Sequence, residues 1–98
     1  LRVDGGASSS DFLMQLQADV AGIDLLRPVN VETTVLGAAY LAGLSAGAWG
    51  VDDIASMWSL DKRFKPSMRR EERDRLYGAW RDAVARAAGW ARRVPWAA

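Results

Sequence analysis

The sequence predicts an α/β fold built from short strands and three main helices. Three observations carry that prediction. Residues 1–15 run from a strand tail through a double-glycine turn into a helix start. A second short apolar strand follows that helix, and a strand–helix–strand order makes a parallel crossover the expected connection. The last third of the chain has the 3, 4 spacing of a long helix with one apolar face.

Taken in order, Leu1 and Val3 alternate with Arg2, as in the tail of a strand. Gly5 and Gly6 lack a Cβ, so the chain can turn sharply and a ligand can approach its backbone. Ser8, Ser9, Ser10 and Asp11 are all N-cap types, and Ser8 with Asp11 has capping-box spacing. The first helix is expected from about Ser10 to Ala21, with Gly22 at its C′ position. Phe12, Leu13, Leu16 and Val20 should form its buried face, with Asp11, Gln15 and Asp19 turned elsewhere. A helix N-terminus behind a glycine-lined opening is a generic place for a phosphate or nucleotide. Strand–Gly–Gly–helix turns are also common plain connections, and from shape alone the plain turn is the favoured reading.

Ile23-Asp24-Leu25-Leu26-Arg27-Pro28 reads as the second strand, closed by proline. After the loop at Pro28–Val31, Glu32, Thr33 and Thr34 open a second helix, roughly Thr34 to Ala48; the two threonines either cap it or touch a ligand, and capping is the favoured reading. Its stripe of Ala38, Ala42 and Ala46, beside Ala39 and Gly43, suits close approach to another element, and the helix is expected to be buried. Each interior glycine costs roughly 1 kcal/mol against alanine, which close packing must offset. Gly47–Gly50 ends this helix, and Val51–Met57 forms a short one with Asp52 and Asp53 in its first turn. Trp58–Pro66 reads as an extended connection. The third main helix is expected from about Ser67 to Arg92, closed by Pro95, with Leu76, Trp80, Ala83, Val84, Ala87 and Ala91 on one face. Trp80, Trp90 and Trp96 should anchor it to a neighbouring surface. Glu71–Arg75 and Asp82–Arg86 have the favoured acid-first i,i+4 spacing.

Composition bounds the function. With 98 residues, half of them hydrophobic and 26% charged, the chain has the makeup of a globular protein with a modest core. It has neither Cys nor His, which excludes disulfides, thiolate metal sites and Ser-His or Cys-His hydrolysis within the chain. The longest apolar run, Val35–Leu44, is too short to span a bilayer. No signal-peptide pattern is present, so no membrane association and a cytoplasmic location are expected. Residues 1–60 carry two basic and seven acidic residues; residues 61–98 carry eleven basic and five acidic. The net charge of +1 hides that split. The chain begins inside what reads as a strand, with no Met, and a lone strand needs sheet partners. A segment of a longer protein is therefore expected.

Several motifs, in order, resemble the carboxy-terminal region of glycerol kinases. They are Leu1-Arg-Val-Asp-Gly-Gly-Ala7, Phe12-Leu-Met-Gln15, Ala18-Asp19, Arg27-Pro28, Glu32-Thr-Thr34, Leu36-Gly-Ala-Ala-Tyr-Leu-Ala-Gly-Leu44 and Phe64-Lys-Pro66. The likeness extends to about Trp90. It implies the C-terminal part of an actin-like (ribonuclease H-like) ATPase domain, with residues 1–98 as the C-terminal segment of the nucleotide-side domain. The implied reaction is transfer of the ATP γ-phosphate to glycerol, with Mg²⁺ shielding the phosphates. In such kinases the catalytic aspartate, the glycerol site and the main phosphate loops lie upstream of this region. The resemblance therefore implies no catalytic residue and no metal ligand here, but one wall of the adenine-nucleotide site. Gly6 matches the glycine whose backbone lies against the nucleotide, and Ala7 continues that wall. Ser10 matches a nucleotide-contacting position that is usually Asn, and its reach is shorter.

Asp4 is the carboxylate nearest the glycine pair, and a turn-forming role is favoured over catalysis. No Walker-type Gly-x-x-x-x-Gly-Lys-Ser/Thr is present. A related sugar or polyol kinase is the alternative enzyme. A nucleic-acid or anion-binding module on the basic helix at Arg69–Arg93 is a further class. Interleaved acids favour a solvated charged helix instead, so no nucleic-acid partner is expected. A homo-oligomer is expected from the surface that the second and third helices need to bury.

Overall fold

The computed structural model describes residues 1–93. At its centre, β1 (Leu25–Pro28) pairs antiparallel with β2 (Leu60–Phe64), in the register Leu25 to Phe64 and Arg27 to Lys62. A bulge follows between Arg27 and Pro28. On the other edge of β1, Arg2 forms an isolated parallel bridge with Leu26. The Val3 N–H donates to the Leu26 carbonyl at 3.0 Å, and the Leu26 N–H donates to the Leu1 carbonyl at 2.8 Å. The expected parallel crossover is therefore present. The Trp58–Pro66 segment is not a mere connection, because its middle is the partner strand of β1. Only Phe64 of its five residues is buried, so its composition carries no strand signal.

Helix α1 (Asp11–Ala21) is the crossover. Gly22 ends it in the left-handed region (φ 69°), with its N–H on the Ala18 carbonyl at 2.8 Å. Its boundaries match the expectation, but its buried face does not. Met14 and Ala18 pack against Leu25 and Phe64, with Val3 beside them, and this small cluster is the core. Phe12 is 79% exposed, and Leu13 and Leu16 are also exposed. The helix carries apolar residues on two sides, and the sheet takes the one that ends in Asp19.

Asp19 is buried and does structural work. One of its carboxylate oxygens accepts from the Ser67 N–H at 2.7 Å, the Ser67 hydroxyl at 3.3 Å and Gln15 Nε2 at 3.0 Å. Gln15 also donates to the Lys65 carbonyl at 2.8 Å. Together they hold the turn after β2 onto α1. Donation from the Ser67 N–H outweighs partial desolvation and lowers the Asp19 pKa.

Helix α2 (Thr33–Ala46) ends in a Schellman motif: the Ala48 N–H reaches the Gly43 carbonyl at 2.8 Å and the Gly47 N–H reaches Leu44 at 3.2 Å. Gly43 is the buried residue of this helix, covered by the Trp49 indole, while Ala38, Ala39, Ala42 and Ala46 are exposed. The small-residue stripe is thus not buried among the described residues. Thr33 is not a cap either; its hydroxyl donates to the Asp4 carboxylate and ties the glycine corner to the start of α2. Helix α3 (Val51–Met57) begins as expected, with the Asp53 carboxylate accepting from the Gly50 N–H at 2.8 Å.

Helix α4 (Arg70–Ala87) is shorter than its apolar rhythm predicts. Gly89 adopts φ 73°, and a separate 3-10 turn follows over Trp90–Arg93. Its first turns pack on α1, with Leu76 half-buried, but Trp80 is 62% exposed and Val84 is exposed. Trp80 is therefore not buried as an anchor among the described residues, while Pro95 and Trp96 lie outside them. Asp82–Arg86 pairs at 3.0 Å. Asp74 pairs with Arg73 at 3.1 Å, and no Glu71–Arg75 pair forms among the described residues. The Cα radius of gyration is 18.8 Å, against about 13 Å for a compact domain of this length.

Candidate nucleotide-side corner

The corner between the first strand segment and α1 is built in two steps. Gly5 turns the backbone (φ 83°), and its N–H donates to the Val31 carbonyl at 2.8 Å. Gly6–Ser9 then form a single 3-10 turn, so the chain does not pass straight into the α-helix. The buried Ser8 hydroxyl donates back to the Gly5 carbonyl at 2.6 Å. Ser8 is thus an internal brace and not the helix cap, and the Ser8–Asp11 capping box is not formed. Ser10 is the cap: its Oγ accepts from the Leu13 N–H at 3.2 Å.

Gly6, Ala7 and Ser10 all lie on this corner and are exposed. A Cβ built on Gly6 meets nothing within 4 Å, so the space above it is open. The Gly6 and Ala7 N–H groups open the 3-10 turn, where no intrahelical acceptor exists, and find no backbone acceptor elsewhere among the described residues. Two unpaired donors beside an open glycine fit a polar, anionic ligand. The start of α1 itself is already served by the Ser10 hydroxyl and the Asp11 carboxylate.

Arg27 lies beneath the corner, its side chain only 11% exposed. Its Nη1 donates to the Ser8 carbonyl at 2.9 Å and to Asp11 at 2.8 Å. Its Nε and Nη2 both meet Asp61 at 2.9 Å, and its Cζ lies 5.1 Å from the Phe64 ring centroid. Lys62 also reaches Asp11, at 2.9 Å. Lys62 first, and Arg27 with it, hold the Asp11 carboxyl below the usual carboxylate range. Asp11 and Asp61 in turn raise the Arg27 pKa. These pairs join the acidic first part of the chain to its basic last part. Sequence reading quoted Arg27 only within the Arg27-Pro28 motif and gave it no role, although an arginine inside an apolar strand is the signal that could have found it: a buried guanidinium needs carboxylates.

Among the described residues no three of His, Cys, Asp and Glu come together to hold an ion. A separate open hollow of about 510 Å³ separates α2 from α3 and is lined by Pro28, Leu36, Tyr40, Ile54 and Trp58. Gly6, Ala7 and Ser10 do not line it. It is an apolar seam, with the Arg2 guanidinium 4.2 Å above the Trp58 ring.

Comparison with known proteins places this architecture. Residues 1–46 match the C-terminal domain of the FGGY family of carbohydrate kinases. That match takes in the first strand segment, the glycine corner, α1, β1 and α2. The chain is 60% identical over 94 residues to glycerol kinase 2 of Thermotoga maritima, covering 95% of this chain and 19% of that protein. It is 58% identical over 91 residues to the glycerol kinase of Deinococcus radiodurans, covering 92% and 18%. Among solved structures, Plasmodium falciparum glycerol kinase with ADP superposes with a TM-score of 0.65 at 31% identity, covering 90% of this chain and 18% of that one. Ligand-bound xylulose kinase from Lactobacillus acidophilus gives 0.66 at 25%, covering 90% and 19%. The chain thus spans about a fifth of the length of the curated relatives it matches. The actin-like α/β architecture implied by the motifs is that of these neighbours.

Proposed function

We propose that this chain is the C-terminal, nucleotide-side segment of an ATP-dependent glycerol kinase, residues 1–98 serving as one piece of a larger nucleotide-binding domain. The observation that carries the reading is identity of 53–60% to glycerol kinases over more than nine-tenths of the chain. The whole enzyme would move the ATP γ-phosphate to a glycerol hydroxyl, giving glycerol 3-phosphate. Adenine nucleotide would lie along Gly6 and Ala7, with Ser10 offering its hydroxyl hydrogen. ATP's Mg²⁺ and the glycerol would be held by regions outside this chain. A sugar or polyol kinase is the second reading, supported by the likeness to xylulose kinase.

Gly6 provides the test, because the structure has room for a side chain there. In the full-length protein, Gly6→Val should leave folding intact and weaken ADP binding. Glycerol-dependent ATP consumption should be lost at low ATP and recovered at high ATP. Unchanged ADP affinity in a folded Gly6→Val variant overturns the nucleotide wall. ATP consumption that responds to another polyol and not to glycerol overturns the substrate. The 98 residues alone should not turn over, since no group for the chemical step is among them; activity of the purified segment would contradict this.

A cytoplasmic enzyme and self-association belong to the same proposal. Among the described residues no helix is long and apolar enough to cross a membrane. Exposed Phe12, Leu41 and Trp80 offer apolar surface for contact with the rest of the enzyme or a second copy. A strictly monomeric sedimentation profile of the full-length protein would remove the second copy. Nucleic acid is left out because acids interleave with the bases of α4; salt-dependent binding to a random duplex would bring it back.

A further inference from the structure

We propose that Arg27 is the positioning residue of the nucleotide wall: its guanidinium sets where the Gly6–Ser10 turn sits, and so sets the affinity for adenine nucleotide. The inference rests on the nucleotide reading above and adds a residue to it that touches no ligand.

On its strand side the corner is tied by the Gly5 N–H to Val31 and by Asp4 to Thr33, but the turn that follows is held almost wholly by itself. Across Gly6–Ser10, the hydrogen bonds run to residues of the same turn or to the first turn of α1: Ser8 to Gly5, Ser10 to Ala7, Leu13 and Met14 to Ser10. Among the described residues the single exception is the Ser8 carbonyl, which accepts from Arg27 Nη1 at 2.9 Å. The same nitrogen holds Asp11, the first residue of α1, at 2.8 Å. One donor therefore pins both the middle of the turn and the start of the helix behind it. The opposite edge of the guanidinium is fixed to Asp61 on β2, and its face lies over buried Phe64. The corner is thereby referred to the sheet and the core. Only a planar fork can serve both edges at once; a lysine at this position reaches one of them. Misplacing a binding group by about 1 Å from a remote change can cost on the order of a hundredfold, and loosening one tie should cost about tenfold.

The experiment uses the full-length protein with ADP as the probe. Calorimetry is run on wild type, Gly6→Val, Arg27→Lys, Asp61→Asn and Arg63→Gln. Arg63 pairs with Asp24 at 2.8 Å from the neighbouring position of β2, so its loss disturbs the same strand without touching the corner. Arg27→Lys should weaken ADP about tenfold and raise the KM for ATP. The KM for glycerol at saturating ATP should not move, and hydrogen exchange in Ser8–Leu13 should quicken. Arg63→Gln should change none of these. Asp61→Asn loosens the guanidinium from its exposed side and should weaken ADP by a smaller factor, which keeps the test available should Arg27→Lys fold poorly. If Gly6→Val weakens ADP while Arg27→Lys and Asp61→Asn bind like wild type, the Arg27 role is overturned and the nucleotide wall stands. If Arg27→Lys and Arg63→Gln lose affinity equally, the effect is general loosening and the positioning role is overturned. If Gly6→Val binds ADP normally, both fall together.

Discussion

Replacing Gly43 by alanine should destabilise α2, although the same change ordinarily strengthens a helix interior by about 1 kcal/mol. A Cβ at this position would lie 2.1 Å from two carbons of the Trp49 ring and 2.6 Å from its Nε1. Carbon atoms prefer about 3.5–4.0 Å, so the indole must retreat by about 1.5 Å. It is not free to do so cheaply. Its Nε1 donates to the Tyr40 carbonyl at 2.9 Å, and its ring meets Tyr40 edge-on at 6.2 Å between centroids. Losing the hydrogen bond costs about 1 kcal/mol and the ring contact about another. Against the helix gain, Gly43→Ala should come out about 1 kcal/mol worse than wild type. Gly37 is the control on the same helix, since a Cβ there meets nothing within 4 Å. Gly37→Ala should gain up to about 1 kcal/mol. Native-state hydrogen exchange over residues 36–50 of the full-length protein reads both changes locally. Protection should fall about fivefold in Gly43→Ala and rise in Gly37→Ala. Protection in Gly43→Ala equal to or above wild type would refute the contact argument.

The core and the acid limb offer two further checks. Phe64→Ala removes the largest buried side chain of the cluster, 2% exposed, and should cost about 3–5 kcal/mol in urea unfolding, with Phe64→Leu costing less; a loss below about 1 kcal/mol would mean the sheet does not depend on it. Asp19 has a folded-state pKa below its unfolded value, because the Ser67 N–H stabilises the charged form. The unfolded chain binds more protons in that window, so the stability Asp19 contributes is full above about pH 4 and is lost as pH falls through the lower folded value. The advantage of wild type over Asp19→Asn, followed by thermal unfolding between about pH 6 and pH 3, should shrink on acidification; a gap that stays constant would sink the assignment.

What local chemistry specifies was legible in the residues themselves. Ser10 and Gly22 bound α1, and the glycine after Ala46 ends α2, because caps are satisfied by atoms a few residues away. The Gly5–Gly6 corner was readable for the same reason, and the motifs around it pointed to the kinase family. Length was over-read by two residues at the end of α2, by three at the start of α4, and most where Gly89 interrupts an apolar rhythm that continues past it.

The tertiary structure decided everything that joins distant parts. Leu-Asp-Lys-Arg-Phe has no strand pattern of its own, and it becomes β2 because β1 supplies backbone partners 32–39 residues earlier. Helix α1 has apolar residues on two sides, so periodicity could not choose between Phe12–Leu16 and Met14–Ala18; the sheet chose by contact with Leu25 and Phe64. Asp19 and Arg27 looked like an ordinary surface acid and an ordinary strand residue. Folding puts one against the backbone of Ser67 and the other beneath Ser8, between two carboxylates. Sequence alone therefore determined the glycine turns and the two ends of α1, which depend on neighbours in the chain. The strand pairing, the buried face and the support of the corner depend on neighbours in space, and those exist only once the chain has closed on itself.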